Sequence, residues 1–357
     1  MELSIHQARK LKTTSINILS GFGLGLVYVM LSDGLGDSFP IINGVTIGVL
    51  VGLVVSLLEL QVFTGSIRKL RFSYIILIRT TLYLILITMI ILLELMVARM
   101  VKYNLGFKEV WVSREFQNYL FHMDFPVVII YTLAIAFTVN FTRQMNRKMG
   151  QGVLWSFITG KYYKPTQTER IFMFMRLKNS SQLVMKLGRL EFHKFLNDFA
   201  FDITESILIH RGQIYQYIED EIVVVWNMDY GLKDANCIRT FFAIKKSLFE
   251  LREQYFLKFG LTPKFEAAFH CGPVIQGEIG AVKSEIAFLG DVMNTSSRIL
   301  GRCSELSKDL LLSAHLMYRL DLPAIYKPEV CGKILLKGKE QPMELFSIKE
   351  SIIPSSL

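Results

Sequence analysis

The chain has 357 residues, of which 51% are hydrophobic, and its mean hydropathy is +0.36. These values exclude a single soluble globular domain, because the apolar excess lies almost entirely before residue 143 and indicates a membrane half joined to a soluble half. The formal net charge is +9, of which +6 belongs to residues 1–150, so the C-terminal half has no strongly basic surface and we expect no nucleic-acid partner.

Four apolar stretches are each long enough to span about 30 Å of hydrocarbon at about 1.5 Å per residue. They lie at about 15–32, 41–63, 73–98 and 124–142. The first lacks a small-residue cleavage site before Asp33 and is followed by three more, so we interpret it as a span and not as a signal peptide. Residues 1–142 are therefore predicted to form a four-helix anchor in the lipid bilayer.

The charged loops predict the orientation of this anchor. Basic residues cluster at 9–12, 68–71 and 143–148, whereas the loop between the first two spans carries only Asp33 and Asp37. Basic loops stay on the cytoplasmic side of a membrane. Both termini and the C-terminal half are therefore expected to be cytoplasmic, on an integral protein of the inner or plasma membrane.

Three charged residues lie within the predicted spans: Glu59, Arg79 and Glu94. Glu59 and Arg79 should lie at similar depth near the cytoplasmic side, where an unpaired charge is costly. Two interpretations remain open for them, a buried ion pair or side chains that extend to the membrane interface.

Residues 143–167 connect the two halves. The stretch contains Trp155, Phe157, Tyr162 and Tyr163 and is too aromatic for a flexible linker. We interpret it as a coupling segment that packs on the soluble domain, either as ordinary packing or with a signalling role.

The C-terminal half alternates short strand patterns with long helical ones. Strands are predicted at 171–176, 213–217, 221–226 and 263–270, and helices at about 182–210 and 234–256. This order predicts an α+β fold with helices on one face of a sheet. The four cysteines (Cys237, Cys271, Cys303 and Cys331) lack metal-ligand spacing and are expected to be reduced and mostly buried.

Two groups of residues in this half could carry chemistry. Glu219, Asp220 and Glu221 form an acidic hairpin tip, and carboxylates at such a tip can hold Mg²⁺, although an acidic turn is usually just solvated. In the segment 290–298, Asp291 suits a helix cap, and Asn294 and Arg298 are four residues apart on one helical face. An amide and a guanidinium that project together suit a transferring phosphoryl group.

These motifs, in this order, resemble the catalytic domain of class III adenylyl/guanylyl cyclases. The resemblance covers about residues 168–348, leaves 349–357 as a tail, and includes a glycine-rich strand after His270 and the Lys337-Gly338 element. It implies the ferredoxin-like α+β core of that family, ATP as substrate, cyclic AMP and pyrophosphate as products, and a dimer with each active site at the interface.

The resemblance also implies residue roles. Asn294 would orient the ribose, Arg298 would stabilise charge on the phosphoryl group, and Lys337 would bind the triphosphate. Asp220 would be the second of two metal-binding aspartates, which in this family hold two ions, Mg²⁺ or Mn²⁺.

The expected first metal aspartate is replaced by Arg176, which reverses the charge at a site for dications. Arg176 could pair with Asp220 or Glu219, and restoring Asp there should raise turnover. Glu219 is itself a departure, since the family usually has Gly there, and is a candidate substitute for the missing carboxylate. The base-selecting positions are also atypical, being Gln216 and Ala287, and we favour ATP over GTP.

Four interpretations follow. The chain is an active membrane adenylate cyclase with an altered metal site, or a degenerate subunit that lends Asn294, Arg298 and Lys337 to a partner's metal face in a heterodimer. It is alternatively a non-enzymatic sensor that uses the fold to bind nucleotide or dimerise. A diguanylate cyclase is disfavoured, because the hairpin lacks that family's paired glycines.

Overall fold

A computed structural model gives the structure of the chain and describes residues 5–32, 38–61, 72–121, 124–150, 153–282 and 284–351. The chain divides into two compact units, a membrane unit (Met1–Lys148) and a C-terminal unit (Met149–Leu357). Asp33, Asp37 and the basic loop at 68–71 lie outside the described residues, so the orientation of the spans stays a prediction.

The described part of the membrane unit is entirely helical apart from short turns. Its helices are α1 (Ile5–Ser32), α2 (Ser38–Gln61), α3 (Phe72–Tyr103), α4 (Phe107–Val112), α5 (Arg114–Phe121) and α6 (Asp124–Met149). Three of them hold apolar stretches long enough to cross a membrane, at Pro40–Glu59, Ser73–Tyr103 and Phe125–Asn146. The apolar part of α1, Thr14–Met30, is shorter, so the fourth predicted span stays a prediction.

Helix α1 packs against α2 through facing glycines. A Cβ on Gly21 would lie 2.1 Å from the carbonyl oxygen of Gly48, and a Cβ on Gly25 would lie 2.2 Å from that of Gly44. No side chain fits at such distances, so the two backbones approach as closely as helices can. This packing aligns the apolar part of α1 with a helix of spanning length, and it favours the four-span interpretation.

Glu59 lies at the centre of a polar cluster in the membrane unit. Its Oε1 accepts hydrogen bonds from Tyr83 Oη at 2.6 Å, Arg143 Nη1 at 2.9 Å and Arg79 Nη1 at 3.1 Å. The Arg79 side chain is 10% exposed and that of Glu59 19%, so the sequence-based alternative of a buried ion pair describes these residues.

The Glu59 cluster reaches all four long helices. Arg143 Nη2 on α6 donates to Asn17 Oδ1 on α1 at 2.8 Å, and Asn17 Nδ2 donates to Ser56 Oγ on α2 at 2.9 Å. Asn140 of α6 also donates to Thr80 of α3 at 3.4 Å, and both residues are buried. Where lipid surrounds a bundle, such interhelical contacts add specificity that apolar packing alone does not supply.

The C-terminal unit begins with α7 (Val153–Ile158) and continues with eight strands and seven more helices among its described residues. In chain order these are β1 (Thr166–Leu177), α8 (Ser180–Leu187), α9 (Arg189–Ile209), β2 (Gln213–Ile218), β3 (Glu221–Asn227), α10 (Met228–Leu232), α11 (Asn236–Glu250), α12 (Arg252–Phe259), β4 (Phe265–Ile279), β5 (Glu285–Leu289), α13 (Asp291–Arg302), β6 (Leu310–Ser313), α14 (Ala314–Met317), β7 (Tyr326–Ile334) and β8 (Met343–Glu350).

The strands form one sheet in the order β2-β3-β1-β4-β6-β8-β7, with β5 paired to β4. All neighbours are antiparallel except β4 and β6. The predicted α+β class is therefore confirmed. Strand β1 lies between β3 and β4 in the sheet. The candidate site begins at the C-terminal end of β1.

The prediction that the helices cover one sheet face is wrong for α13. Side chains alternate along β1, so Ile171, Met173 and Met175 pack under the helices α8, α9, α11, α12 and α14. Phe172 and Phe174 point to the other face, where Val292, Ile299 and Leu300 of α13 cover them. Both sheet faces are buried, which explains why β1 is a continuous apolar run and not an alternating one.

The two long predicted helices are each broken once. The first is divided into α8 and α9 at Gly188, whose φ of +78° favours glycine. The second is divided into α11 and α12 at Leu251. The helical spacing of apolar residues continues across both breaks, which is why periodicity alone did not locate them.

The end of the predicted linker packs on the sheet. The carbonyl oxygen of Tyr162 accepts a hydrogen bond from the backbone N–H of Glu278 at 3.0 Å, and Pro165 lies 3.2 Å from a Cβ placed on Gly277. Strand β1 then starts at Thr166 and pairs with Gln276. This docked segment leads directly into the strand that carries Arg176.

Candidate functional site

Arg176 lies at the end of β1 between two glutamates supplied by the neighbouring strands. The register pairs it with Glu221 of β3 and Glu266 of β4. Its Nε donates to Glu266 Oε1 at 2.8 Å and its Nη2 lies 2.7 Å from the same oxygen, whereas Nη1 is 3.9 Å from Glu221 Oε1. The predicted pairing with Asp220 or Glu219 is therefore wrong, because the cross-strand register directs the guanidinium to β4.

Glu266 is the most deeply buried carboxylate at this edge, with a side chain 2% exposed. Ser304 Oγ donates to both of its oxygens, at 3.1 and 3.3 Å. A carboxylate this deep is tolerated only when it is paired and hydrogen-bonded, and Arg176 supplies the countercharge. The arginine is thus fixed as a structural partner of Glu266.

The hairpin tip between β2 and β3 has two residues, Glu219 and Asp220. Glu219 has φ of +52°, a conformation in which a glycine would be unstrained and a glutamate is disfavoured by about 1 kcal/mol. Burial raises the pKa of the neighbouring Glu221 and the charges of Asp220 and Glu219 raise it further, while Arg176 lowers it.

A cavity of about 340 Å³ opens beside this tip. Its rim includes Asp220, Ser180 and Ser181 at the start of α8, and Arg189 and His193 of α9. The sequence analysis missed Ser180 and Ser181 because it began the helix at 182, and it treated Arg189 and His193 only as part of that helix. The signal that could have found them is the turn-forming Asn179-Ser180-Ser181 that directly follows β1.

The residues at this edge do not fit a site for two metal ions. Asp220 is one of the two predicted metal carboxylates, but the position predicted for the other holds a guanidinium that is bonded to Glu266. Among the described residues, no group of three or more His, Cys, Asp or Glu side chains could hold a metal ion. The fixed positive charge of the Arg176 guanidinium would also repel two adjacent divalent cations.

Helix α13 carries the other half of the predicted site. It begins at Asp291, so Asn294 is exposed in its first turn and Arg298 follows one turn later on the same face. Asp291 was predicted to cap the helix, but Gly290 occupies the cap position. The Asp291 carboxylate instead accepts hydrogen bonds from Thr295 Oγ1 at 3.1 Å and from Lys339 Nζ.

The turn at 336–339 lies against Arg298. Gly338 has φ of +70°, and a Cβ placed there would be 3.3 Å from Arg298 Nη2. Lys339, bonded to Asp291, ties this turn to the start of α13, and it lowers the pKa of that carboxyl below its usual value. The structure therefore brings the Lys337-Gly338 element beside Arg298, with the Lys337 side chain exposed.

The side chains of Asn294, Arg298 and Lys337 make no hydrogen bond or close ion pair within the part of the chain that the structure describes. Their polar groups remain available to a ligand or another chain. His270, to which the sequence analysis assigned no role, is buried on β4, with Nδ1 2.7 Å from Ser313 Oγ. Burial, and then the charges of His315 and Lys339, lower its pKa to about 4, so it is a neutral structural residue.

The two predicted base-selecting positions lie on strands that meet. The backbone N–H of Phe288 donates to Tyr215 Oη at 3.4 Å, and the two rings are 5.0 Å apart. Gln216 follows Tyr215 on β2, and Ala287 precedes Phe288 on β5. Gln216 is exposed at a bulge in the β2–β3 register. Tyr215 is thus a further residue of this site that the sequence analysis did not single out.

The cysteines are not part of the site. Cys237, Cys271 and Cys303 are buried and Cys331 is half-buried, as expected from the sequence. Burial raises the pKa of each thiol, to about 12 for Cys237 and about 11 for Cys271, so these thiols stay protonated and unreactive.

No family model matches the chain. Adenylate cyclase 2 of Rhizobium meliloti (strain 1021) is 32% identical over 221 residues, which are 62% of this chain and 61% of the relative. An adenylate cyclase of Anabaena cylindrica is 22% identical over 183 residues, 50% of this chain and 36% of the relative. The chain therefore matches less than two thirds of the length of either relative.

Among solved structures, a bacterial light-regulated adenylyl cyclase matches with a TM-score of 0.53 and 19% identity. The match covers 65% of this chain and 68% of that chain. At this identity the match shows a common fold and nothing more.

Proposed function

We propose that the chain is a member of the class III adenylyl/guanylyl cyclase family and a membrane-bound subunit that completes a cyclase active site together with a partner chain. The reaction is conversion of ATP to cyclic AMP and pyrophosphate in signal transduction. This chain contributes Asn294, Arg298 and Lys337, and the partner contributes the metal-binding aspartates. The domain would face the cytoplasm from a four-helix anchor.

The observation that carries the proposal is the contrast between the two halves of the site. Around α13, the turn at Gly338 is packed against Arg298, and the polar groups of Asn294 and Lys337 have no partner among the described residues. At the β1 edge, Arg176 is bonded to the buried Glu266. The half around α13 is suited to bind a polyphosphate. In the half at the end of β1, Arg176 instead stabilises the pairing of β1 with β4.

The chemistry assigned to this chain is electrostatic and positional. In the reaction the ribose 3′-oxygen loses its proton and bonds to the α-phosphorus, while the bond from that phosphorus to the pyrophosphate oxygen breaks. Arg298 would donate hydrogen bonds to the phosphoryl oxygens as charge develops, Asn294 would hold the ribose, and Lys337 would bind the triphosphate. Gln216, whose amide both donates and accepts, would contact the purine beside Ala287.

A second candidate is a homodimer that is active without a partner. Asp220 and Glu219 both border the 340 Å³ cavity, so Glu219 could supply a carboxylate in place of the missing aspartate. This version needs Mg²⁺ or Mn²⁺ bound by residues that otherwise do not fit two ions. It predicts cyclic AMP synthesis by the purified chain alone.

The test is complementation of the full-length chain with a class III cyclase domain that keeps its metal aspartates but has lost its own Asn and Arg. We expect cyclic AMP from the mixture and little from either protein alone. Arg298→Ala or Lys337→Ala should lower the rescue by about 10²–10³-fold, by loss of transition-state hydrogen bonds. Lys333→Ala, at an exposed position on β7, is the matched control. Robust synthesis by the chain alone would support the homodimer instead, and no rescue would remove the partner role.

Gly338→Ala tests the contact between the turn and α13. An alanine with φ near +70° is strained by about 1 kcal/mol, and its Cβ would press on the Arg298 guanidinium. Displacing that group should lower the rescue by roughly tenfold to a hundredfold. Gly260→Ala is the control, since Gly260 has φ of +67° and nothing within 4 Å of its Cβ position. Equal losses in both variants would show that strain, and not the Arg298 contact, matters.

A further inference from the structure

The helices α4 and α5 form a small, well-defined fold between α3 and α6. Gly106 is the N-cap residue of α4, and its N–H donates to Glu109 Oε2 at 2.7 Å. Ser113 separates the helices, and its Oγ accepts from the N–H of Phe116 at 3.3 Å. Phe116 and Val110 are 0% and 1% exposed. These contacts show that the segment is not a loose loop, although it has only 15 residues between the first of α4 and the last of α5.

This fold packs on the last turns of α3. Phe116 and Val110 form a buried cluster with Met96, against which Met100 also packs. The Arg99 guanidinium lies over the rings of Phe116 and Tyr119, 5.5 and 5.4 Å from their centroids. The inner surface of α4–α5 is therefore fully used by contacts with α3.

The outer surface of α4–α5 is apolar and exposed. Val112 and Phe121 are 74% and 78% exposed, and Phe107 and Trp111 are 58% and 48% exposed. Four large apolar side chains within 15 residues, on a fold whose own core is already complete, need a non-aqueous partner. Lys108 and Glu115 are exposed beside them and give the segment a polar rim.

The position of α4–α5 along the membrane unit identifies that partner. The Glu59 cluster joins the end of α2 to Arg79 on α3 and Arg143 on α6, so these residues share one level. Arg99 is 20 residues from Arg79 along α3, or about 30 Å at the rise of an α-helix, which is the thickness of the hydrocarbon layer. The start of α6 at Asp124 is about 28 Å from Arg143 by the same measure. Arg99 and the helices that cover it thus lie at the opposite membrane boundary.

We propose that the outer face of α4–α5, formed by Phe107, Trp111, Val112 and Phe121, is a lipid-binding surface that inserts at the headgroup–acyl boundary of the leaflet reached by the end of α3. Aromatic side chains with an apolar body and a polar rim are favoured at that depth. Short amphipathic helices bind there through buried apolar area. The surface anchors the α3–α6 connection to lipid and makes its position sensitive to the packing of that leaflet.

The test places an environment-sensitive fluorophore on single introduced cysteines in the full-length protein in phosphatidylcholine vesicles. The membrane unit has no native cysteine, and the wild-type chain treated in the same way gives the background. Probes at Val112→Cys and Phe121→Cys should lose at least about half of their emission to shallow lipid-borne quenchers and be protected from aqueous iodide. Lys108→Cys and Glu115→Cys are the controls and should show the reverse.

Two results would overturn the proposal. Equal iodide access at all four positions, without lipid quenching, would mean that the surface faces water. Protection at Val112 and Phe121 that disappears when the protein is diluted into excess lipid would mean that a second copy of the chain covers the surface. All four positions are exposed, so the substitutions remove no internal packing, and the readout does not depend on nucleotide turnover.

Discussion

Arg176→Asp is expected to destabilise the C-terminal unit by about 3–5 kcal/mol, because it leaves the Glu266 carboxylate buried without its countercharge. The new Asp would also lie between Glu266 and Glu221 in the strand register, so three acidic side chains would share one edge. In the full-length protein in detergent, the midpoint of thermal unfolding followed by intrinsic tryptophan fluorescence, to which Trp111, Trp155 and the buried Trp226 contribute, should fall by roughly 6–20 °C. The effect of this substitution on turnover stays a prediction, and the structure adds the expectation that it lowers stability.

The charge-swapped variant Arg176→Asp with Glu266→Arg restores the pair in the opposite direction. We expect it to recover most of the lost stability, because the buried position at 266 again has an oppositely charged partner at the end of β1.

The control for the single variant is Arg319→Asp. Arg319 forms an ion pair with Glu169 at 2.9 Å, but both side chains are substantially exposed, at 34% and 46%. Exposed pairs contribute about 0–1 kcal/mol, so little change is expected. If Arg176→Asp unfolds at the wild-type temperature, the Arg176–Glu266 pair does not stabilise the edge. If the charge-swapped variant is no more stable than Arg176→Asp alone, the reversed ion pair does not restore the stability that the original pair provides.

The second large effect is expected from Glu59→Ala in the membrane unit. This change removes the one carboxylate that accepts hydrogen bonds from Arg79, Arg143 and Tyr83. Two cations then lie within the bundle without this shared acceptor, and charged side chains inside a membrane protein are costly unless they are well paired. We expect a large drop in the fraction of protein that elutes as a monodisperse species from detergent solution, and a lower midpoint of thermal aggregation.

The Glu59 prediction has an internal rescue. Glu59→Gln with Arg143→Gln returns the net charge of the cluster to that of the wild type, so it should recover part of the stability lost in Glu59→Gln alone. Glu115→Ala, at an exposed position on α5, is the control and should behave as the wild type. A stable, monodisperse Glu59→Ala protein would show that the cluster does not hold the four helices together.

Local patterns in the sequence were enough for much of the fold. Apolar stretches located the helices α2, α3 and α6, and the motif order in the C-terminal half predicted the α+β class that the sheet confirms. Both signals depend on residues close in the chain, namely continuous hydropathy and the spacing of apolar positions. The helix breaks at Gly188 and Leu251 were missed for the same reason, since the apolar spacing continues across them.

The sequence by itself determined that a guanidinium stands where a metal carboxylate is expected, and that Asn294, Arg298 and Lys337 are present. Only the tertiary structure decided which neighbouring side chains those residues contact. The partner of Arg176 is Glu266, 90 residues away, because antiparallel pairing of β1 with β4 sets their register. Likewise, the contact of Gly338 with Arg298 and the convergence of four helices on Glu59 arise from long-range packing. Such contacts depend on which side chains the folded backbone brings within a few ångströms, and local spacing does not encode that distance.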